Sequence, residues 1–383
     1  MKALQIGCGM IGHVIAQDLS RDFDVTVVDR DEGRLAELQA RLPQVRTAVA
    51  SATSADELAP FVKEADIVTA GVPGALGYAM METVIGLGGN LCDISFMAED
   101  FDLLNGAALA RDVTVVPDIG VAPGMSNFLM GRGASLVDEV TEAFIYVGGI
   151  PANPEPPFNY KATWSPLDCI DEFLRPARII EEGKEVTVEA ASGLHLKEFP
   201  GLGTLEVFYT DGLRSLAKNI RGRTVAEMTM RWPGHVEQMR LLRSMGLFDK
   251  EPRRLGGVDV VPLEITADLL LPLWKMEPAK GDRDLTVMRV TVSGYRGRDE
   301  VTTTWDLLDR YDETTGTTSM ARCTAFTCAI FARAVARGLI PRKGVLAPEL
   351  LASDDRLYDF VMAEQKERGL HYRETTRIVR DAR

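Results

Sequence analysis

The chain has 383 residues, 46% hydrophobic and 26% charged, enough apolar material for a sizeable core and for two domains rather than one. A net charge of −13 argues against an electrostatic grip on nucleic acid or an anionic membrane, and no apolar run reaches the length of a membrane span. Five cysteines without a CxxC pair argue against a disulfide framework or a structural zinc site; with no leader pattern at the amino terminus, a cytoplasmic location is the expectation.

The apolar run Ala3-Leu4-Gln5-Ile6 leads into Gly7-Cys8-Gly9-Met10-Ile11-Gly12 and then an amphipathic segment from Val14 to Leu19, which is the order strand, tight turn, helix. In such a GxGxxG turn, Gly7 permits the bend, Gly9 lets a pyrophosphate approach the backbone, and Gly12 lets the helix pack on the strand. A second strand, Asp24 to Val28, ends in Asp29, placed to accept the ribose hydroxyls of NAD. Arg30 can stack on adenine or reach a 2′-phosphate, which keeps NADP open. Gly7, Gly9, Met10, Ile11, Gly12, Asp29 and Arg30 are therefore the first candidates for cofactor binding.

A polar helix follows at Glu32 to Arg41, then an apolar run at Val45 to Ala50, and Ser54-Ala55-Asp56-Glu57 reads as a capping box opening a helix to about Glu64. Asp66 to Ala70 reads as a buried strand ending in Gly71-Val72-Pro73, a small-residue turn at the sheet edge where ligands bind, and these three residues join the cofactor candidates. With a helix to about Leu87, a strand at Asn90 to Ser95, a helix at Ala98 to Ala110 and a strand at Val113 to Val116, the alternation predicts a doubly wound parallel sheet. Pro117 to Asn127 is a glycine- and proline-rich loop suited to a hinge.

From Thr141 the texture becomes α+β. Strands are expected at Phe144 to Val147, Glu185 to Glu189, Thr204 to Tyr209, Val225 to Trp232, Thr286 to Ser293 and Val301 to Leu307, with helices after Ser165-Pro166, at Pro233 to Met245 and at Pro262 to Leu273. Together they predict a mostly antiparallel sheet with helices on one side. Thr317 to Gly338 and Asp355 to Arg368 read as helices, and His371 to Arg383 as a polar tail that frays.

Several ordered motifs carry a resemblance. The chain resembles the saccharopine dehydrogenase-like oxidoreductases, and within them the lysine 6-dehydrogenase branch. The likeness rests on the amino-terminal GxGxxG, on Gly120 to Asn127, Gly148-Gly149-Ile150-Pro151, Tyr160-Lys161-Ala162-Thr163-Trp164-Ser165, Arg231-Trp232-Pro233-Gly234-His235, and Arg342 to Glu349. Saccharopine reductases of this family typically carry Leu-Asp-Pro-Gly where this chain has Val121-Ala122-Pro123-Gly124, and their aspartate contacts the amino acid. They have an aromatic-Gln-Gly-Phe-like run where this chain has Trp232-Pro233-Gly234-His235. The resemblance implies an α/β fold with a Rossmann-type domain at 1–123, an α+β substrate-binding and dimerisation domain at 124–316, and C-terminal helices at 317–383 returning to the first domain, the active site lying in the cleft. It also implies a homodimer acting on a small amino acid substrate, by NAD-dependent oxidation of the ε-amine of L-lysine to the semialdehyde.

Such chemistry needs a group that keeps the amine neutral and activates water. His235 is the first candidate, because Pro233 places it in a first helical turn, where the dipole favours a neutral imidazole. It also shares a helix face with Met239 and Leu242, which describes a core histidine equally well. Lys161 is the second candidate, as base or carboxylate binder. Arg231, Trp164, Ser95 and Asn127 are candidates for substrate binding: a carboxylate fork, a pocket wall and two loop-end polar groups. Core packing or capping explains the last three nearly as well. Two rivals stay open: a saccharopine or carboxynorspermidine-type imine reductase, and a dinucleotide-binding regulatory protein without turnover.

Overall fold

The computed structural model describes residues 1–163 and 166–382; Trp164 and Ser165, on which a pocket wall and a helix cap were expected, lie outside them. The chain divides into two compact units, Met1–Ser135 with Ala321–His371 and Leu136–Met320 with Tyr372–Arg383.

The first unit opens with β1 (Lys2–Ile6), α1 (Gly12–Leu19), β2 (Asp24–Asp29), α2 (Glu32–Arg41), β3 (Arg46–Val49), α3 (Ala55–Glu64), β4 (Ile67–Ala70), α4 (Gly74–Gly86), β5 (Leu91–Asp93), α5 (Asn105–Ala110), β6 (Thr114–Val116) and α6 (Met125–Ser135). All strands pair in parallel in the order β6-β5-β4-β1-β2-β3, which puts the chain reversal between β1 and β4. Because both faces are covered, β4 is buried at every position and reads as a continuous apolar run. The capping box is only half realised. Ser54 stands at the N-cap of α3 but makes no side-chain capping bond, and Glu57 accepts from the amide of Ser51 instead, at 2.8 Å.

The second unit is built on a mixed sheet. Its elements are β7 (Glu139–Pro151), α7 (Pro166–Asp171), β8 (Ala177–Glu181), β9 (Lys184–Val188), β10 (His195–Phe199), β11 (Gly203–Tyr209), α8 (Leu216–Asn219), β12 (Gly222–Arg231), α9 (His235–Ser244), β13 (Arg253–Leu255), β14 (Val258–Val260), α10 (Pro262–Trp274), β15 (Asp284–Arg296) and β16 (Asp299–Arg310). Only the β7–β12 pair is parallel; the others named run antiparallel. Strand periodicity divides β12 cleanly. Met228 and Met230 join an apolar cluster with Leu205, Val207 and Val287, while the alternate positions Glu227, Thr229 and Arg231 are polar and also buried.

The chain then returns through α11 (Ser319–Ala336), β17 (Gly344–Val345) and α12 (Asp355–Glu367). β17 pairs in parallel with β6 as a seventh strand of the first sheet. Helix packing and charge both secure this return. Phe128 of α6 meets Phe331 edge-on at 5.2 Å, and the buried Arg333 guanidinium binds Asp18 at 2.5 Å and Asp22 at 2.6 Å, while Arg368 reaches Asp18 at 2.8 Å.

The carboxy-terminal residues overturn the expectation of a frayed tail. Arg373–Val379 forms β18, an edge strand antiparallel to β16 from Glu300 to Asp306. Thr375, Thr376, Ile378 and Val379 suit a pleated edge, and Arg373 pairs with Asp306 at 3.0 Å. No helix among the described residues is long and apolar enough to cross a membrane.

Candidate active site

The glycines of the first turn are held by backbone packing. Gly7 has a φ of +93°, and a Cβ there would lie 2.5 Å from the carbonyl oxygen of Gly71; a Cβ on Gly12 would lie 2.0 Å from that of Gly7. At Gly9 a Cβ would meet nothing within 4 Å, so this position has open space in front of it and not a packing role. The Gly12 amide opens α1 at the positive end of its dipole, while those of His13 and Val14 donate to the carbonyl oxygens of Gly9 and Ile11 at 3.3 and 3.0 Å. Ile11 is the N-cap, Met10 is exposed, and His13 Nδ1 lies 2.9 Å from the carbonyl oxygen of Gly9. These features fit a dinucleotide pyrophosphate.

Asp29 ends β2 as expected. Its Oδ2 accepts from the amide of Cys8 at 2.6 Å and its Oδ1 from that of Asp31 at 2.9 Å, so the carboxylate is fixed against the glycine turn. Arg30 is exposed beside it. Gly71, Val72 and Pro73 leave β4 next to Gly7: the amide of Gly71 donates to the carbonyl oxygen of Ile6 at 3.0 Å, and that of Val72 donates to Ser95 Oγ at 3.1 Å. Ser95 in turn donates to Asp93 Oδ1 at 2.7 Å, and its own amide donates to the same oxygen at 3.1 Å. Expected to bind substrate, Ser95 is buried and uses its hydroxyl twice within the protein. Asp93 is the residue that sequence reasoning missed here. Its complete burial pushes the carboxyl up to about 7, the hydrogen bonds from Ser95 oppose this, and the charge of buried Asp118 adds to it.

Asn127 is buried in the first turn of α6, and its Oδ1 accepts from the amide of Gly124 at 3.3 Å and from Ser126 Oγ at 3.0 Å. This is a local cap that leaves Nδ2 without a hydrogen-bond partner.

In the second unit β12 ends at Arg231, and Gly234, with a φ of +97°, turns the chain into α9 at His235. Glu206 of β11, not foreseen, clamps this turn: its Oε2 accepts from the amide of Gly234 at 2.9 Å and its Oε1 from that of Val236 at 2.7 Å. His235 is 1% exposed, with its ring 4.6 Å from Tyr160, 5.5 Å from Phe173 and 5.9 Å from Trp274. Nδ1 lies 3.0 Å from the carbonyl oxygen of Phe158, so the proton sits on Nδ1 and Nε2 keeps a lone pair with no partner. Burial, helped by the charge of Arg231, pushes the imidazole down to about 3 and holds it neutral.

Arg231 is equally buried. It binds Glu172 at 2.5 Å through Nη2 and the carbonyl oxygen of Met230 at 2.9 Å through Nη1, and stacks over Tyr160 at 5.0 Å. Tyr160 donates to Cys169 Sγ at 2.9 Å, and burial raises the phenol well above its ordinary range. Glu227, two residues along the same face from Thr229, takes a hydrogen bond from Thr210 and is pushed by burial up to about 8. Lys161 is the more accessible cation, 3.4 Å from both Asp282 Oδ2 and the carbonyl oxygen of Lys275. The second unit thus brings His235 and Arg231 onto a common ring, Tyr160, and places Lys161 one residue beyond it.

A parallel sheet with a glycine turn, a strand-end carboxylate and an open backbone position defines a dinucleotide-binding α/β protein. Residues 3–116 match the saccharopine dehydrogenase NADP binding domain and residues 120–370 the saccharopine dehydrogenase C-terminal domain. The chain belongs to the saccharopine dehydrogenase family, whose members are NAD(P)-dependent oxidoreductases, and its cofactor is a nicotinamide dinucleotide. It is 22% identical to saccharopine dehydrogenase (NADP+, L-glutamate-forming) of Schizosaccharomyces pombe, over 90% of this chain and 93% of that protein. It is also 22% identical to the mitochondrial alpha-aminoadipic semialdehyde synthase of Rattus norvegicus, over 65% of this chain and 29% of that protein; the chain spans under a third of the length of these synthases. The apo saccharopine dehydrogenase (L-Glu forming) of Saccharomyces cerevisiae has the same fold, with a TM-score of 0.83 at 19% identity, covering 98% of this chain and 99% of that one.

Proposed function

We propose that this chain oxidises the ε-carbon of L-lysine with NAD, releasing the amine after water hydrolyses the imine, to give the 6-semialdehyde that cyclises to piperideine-6-carboxylate. The dinucleotide, when bound, takes the hydride from the carbon that carries the amine. The observation that carries the substrate reading is Ala122, where related saccharopine reductases typically place an aspartate against the amino acid. The Arg231 to His235 turn supports it through geometry: His235 holds Nδ1 on the Phe158 carbonyl oxygen and leaves the Nε2 lone pair without a partner in the chain. Arg231 is buried on Glu172, whereas Lys161 is the more accessible cation and holds Asp282 at the longer distance of 3.4 Å, which favours Lys161 for the substrate carboxylate. The fixed carboxylate of Asp29 supports NAD over NADP.

A second reading has its own support. The likeness to the Schizosaccharomyces pombe enzyme runs along nearly the full length of both chains and favours a saccharopine-type reaction on a secondary amine. Dinucleotide reduction with L-lysine, ornithine, saccharopine and carboxynorspermidine, each with NAD and with NADP, separates the readings. Turnover on lysine without an added carbonyl compound is the expected result. Turnover on a secondary amine alone overturns the lysine reading, and tight NADH binding with no turnover on any amine leaves a dinucleotide-binding regulator.

A further inference from the structure

In a chain with 56 acidic and 43 basic residues, acid is in excess, and a cation left without it stands out. Lys197 of β10 is one. It is half-buried, its Nζ stands 4.1 Å from the Tyr146 ring centroid, and it has no carboxylate partner among the described residues. Burial lowers its pKa, the charge of Arg289 adds to this, and Asp306 opposes it.

Strand register explains the crowding. Tyr146, Arg289, Asp306 and Arg373 are successive register partners across β7, β15, β16 and β18, so their side chains stand in one row on one face of the sheet. Arg289 holds Asp306 through Nε at 2.6 Å and Nη2 at 3.1 Å, and Arg373 Nη2 reaches the same carboxylate at 3.0 Å. The Arg289 guanidinium lies 5.6 Å from the Phe199 ring although β10 and β15 are not neighbours in the sheet. The β10–β11 hairpin therefore curls back over this face, where Phe199 joins the apolar cluster of Leu285 and Val287. Lys197 is two residues from Phe199 and so points to the same side, onto the Tyr146 end of the row.

We propose that Lys197, Arg289 and Arg373 form a binding site for a phosphate group. One carboxylate, Asp306, stands among the three cations and leaves two positive charges over. A phosphate group, with a charge of about −1.5 to −2 at pH 7 and three acceptor oxygens, matches that excess better than a monocarboxylate does. The donors suit it. The Lys197 ammonium makes no hydrogen bond within the chain, and each guanidinium keeps N–H groups that Asp306 does not use. The half-buried position under β10 strengthens the field by excluding water. Tyr146 is also the register partner of Met228, so this face is turned away from Glu227, Thr229 and Arg231, and the site does not depend on the reaction proposed above.

Phosphorus-31 NMR with inorganic phosphate as the probe tests this, on the full chain saturated with NADH so that the pyrophosphate cradle is filled, and at constant ionic strength. The wild-type chain is expected to broaden the phosphate signal saturably, and Lys197→Met to weaken that binding about tenfold. Lys184→Met, at an exposed position on β9, is expected to bind as the wild type does. No saturable broadening by the wild type, or an unchanged affinity in Lys197→Met, overturns the proposal. Should Lys197→Met fail to fold, Arg373→Gln decides at the exposed end of the row: a weakened affinity upholds the site and an unchanged one overturns it. Glycerol 3-phosphate in place of phosphate identifies the source. Tighter binding upholds the site as one for a phosphate ester, and equal or weaker binding upholds it as one for the free ion.

Discussion

The glycine turn of the first unit and the Arg231 to His235 turn of the second are both sharp bends from a strand into a helix, yet they are stabilised in opposite ways. In the first, backbone packs on backbone: Gly12 on Gly7, and Gly7 on Gly71. In the second, a buried carboxylate, Glu206, gathers the amides of the turn, and the buried cation Arg231 faces the half-buried anion Glu172. Absence of side chains holds one, and matched charge the other. The two should therefore fail differently.

The largest effect is expected where a methyl group runs into backbone. Gly12→Ala places a Cβ about 2 Å from the Gly7 carbonyl oxygen and should unfold the cradle, lowering the melting temperature and abolishing NADH binding. Gly9→Ala meets nothing in the protein and should leave the melting temperature unchanged while weakening NADH, followed by fluorescence, at least tenfold. Equal melting temperatures for the two variants would break the claim that one glycine packs and the other makes room.

The second turn should break through charge. Arg231→Met removes the guanidinium from half-buried Glu172 and should cost about 3 kcal/mol in denaturant unfolding, the low end for a buried pair. Adding Glu172→Gln should recover a large part of that loss, because the penalty is the uncompensated charge at Glu172 and not the missing cation. Additive losses in the double variant would show that Arg231 contributes by packing on Tyr160.

How much of each region the sequence revealed follows from the same contrast. A backbone-built site needs particular residues at fixed short spacing, so Gly7, Gly9, Gly12 and Asp29 were legible, and so was the βα order that carries them. The charged cluster joins Tyr160, Glu172, Glu206, Arg231 and His235 across some 75 positions, and no spacing rule connects them. A signal was present in Glu227-Met228-Thr229-Met230-Arg231, whose alternation puts three polar groups on one face of a strand, but it names no partners. The carboxy-terminal strand was missed for a related reason: β18 is exposed along its whole length and depends on hydrogen bonds to β16, so its composition reads as a tail.

His235 provides an acid-range test. Its imidazole is neutral in the folded chain down to about pH 3 but takes a proton near pH 6.5 when unfolded, so the unfolded state binds more protons between those values. Stability should fall as pH drops through that window and stay level above it, and His235→Phe should remove this slope. The same substitution should lower turnover by about 10²–10⁴-fold, the range of a lost general base, with NADH affinity unchanged. A variant with full turnover would confine His235 to the core, where its contacts with Phe173 and Trp274 already place it.

The smallest effect is expected at the link between β5 and the cofactor turn, where the first unit departs from its own rule and uses a buried charge. The amide of Val72 reaches Asp93 only through the Ser95 hydroxyl, so Ser95→Ala removes one hydrogen bond from a turn that also packs on Gly7. A loss of about 1 kcal/mol, or up to tenfold in NADH affinity, is the expected size. The pH dependence identifies the charge behind it. Ionised Asp93 accepts both donors of Ser95, and its carboxyl stands near 7, faced by Asp118, Cys92 and Cys328, so NADH affinity should rise between pH 6 and 8. Asp93→Asn keeps an acceptor without a titrating proton and should flatten that profile while preserving the fold. If the slope persists in Asp93→Asn, the turn is held by packing alone and the first unit obeys its backbone rule throughout.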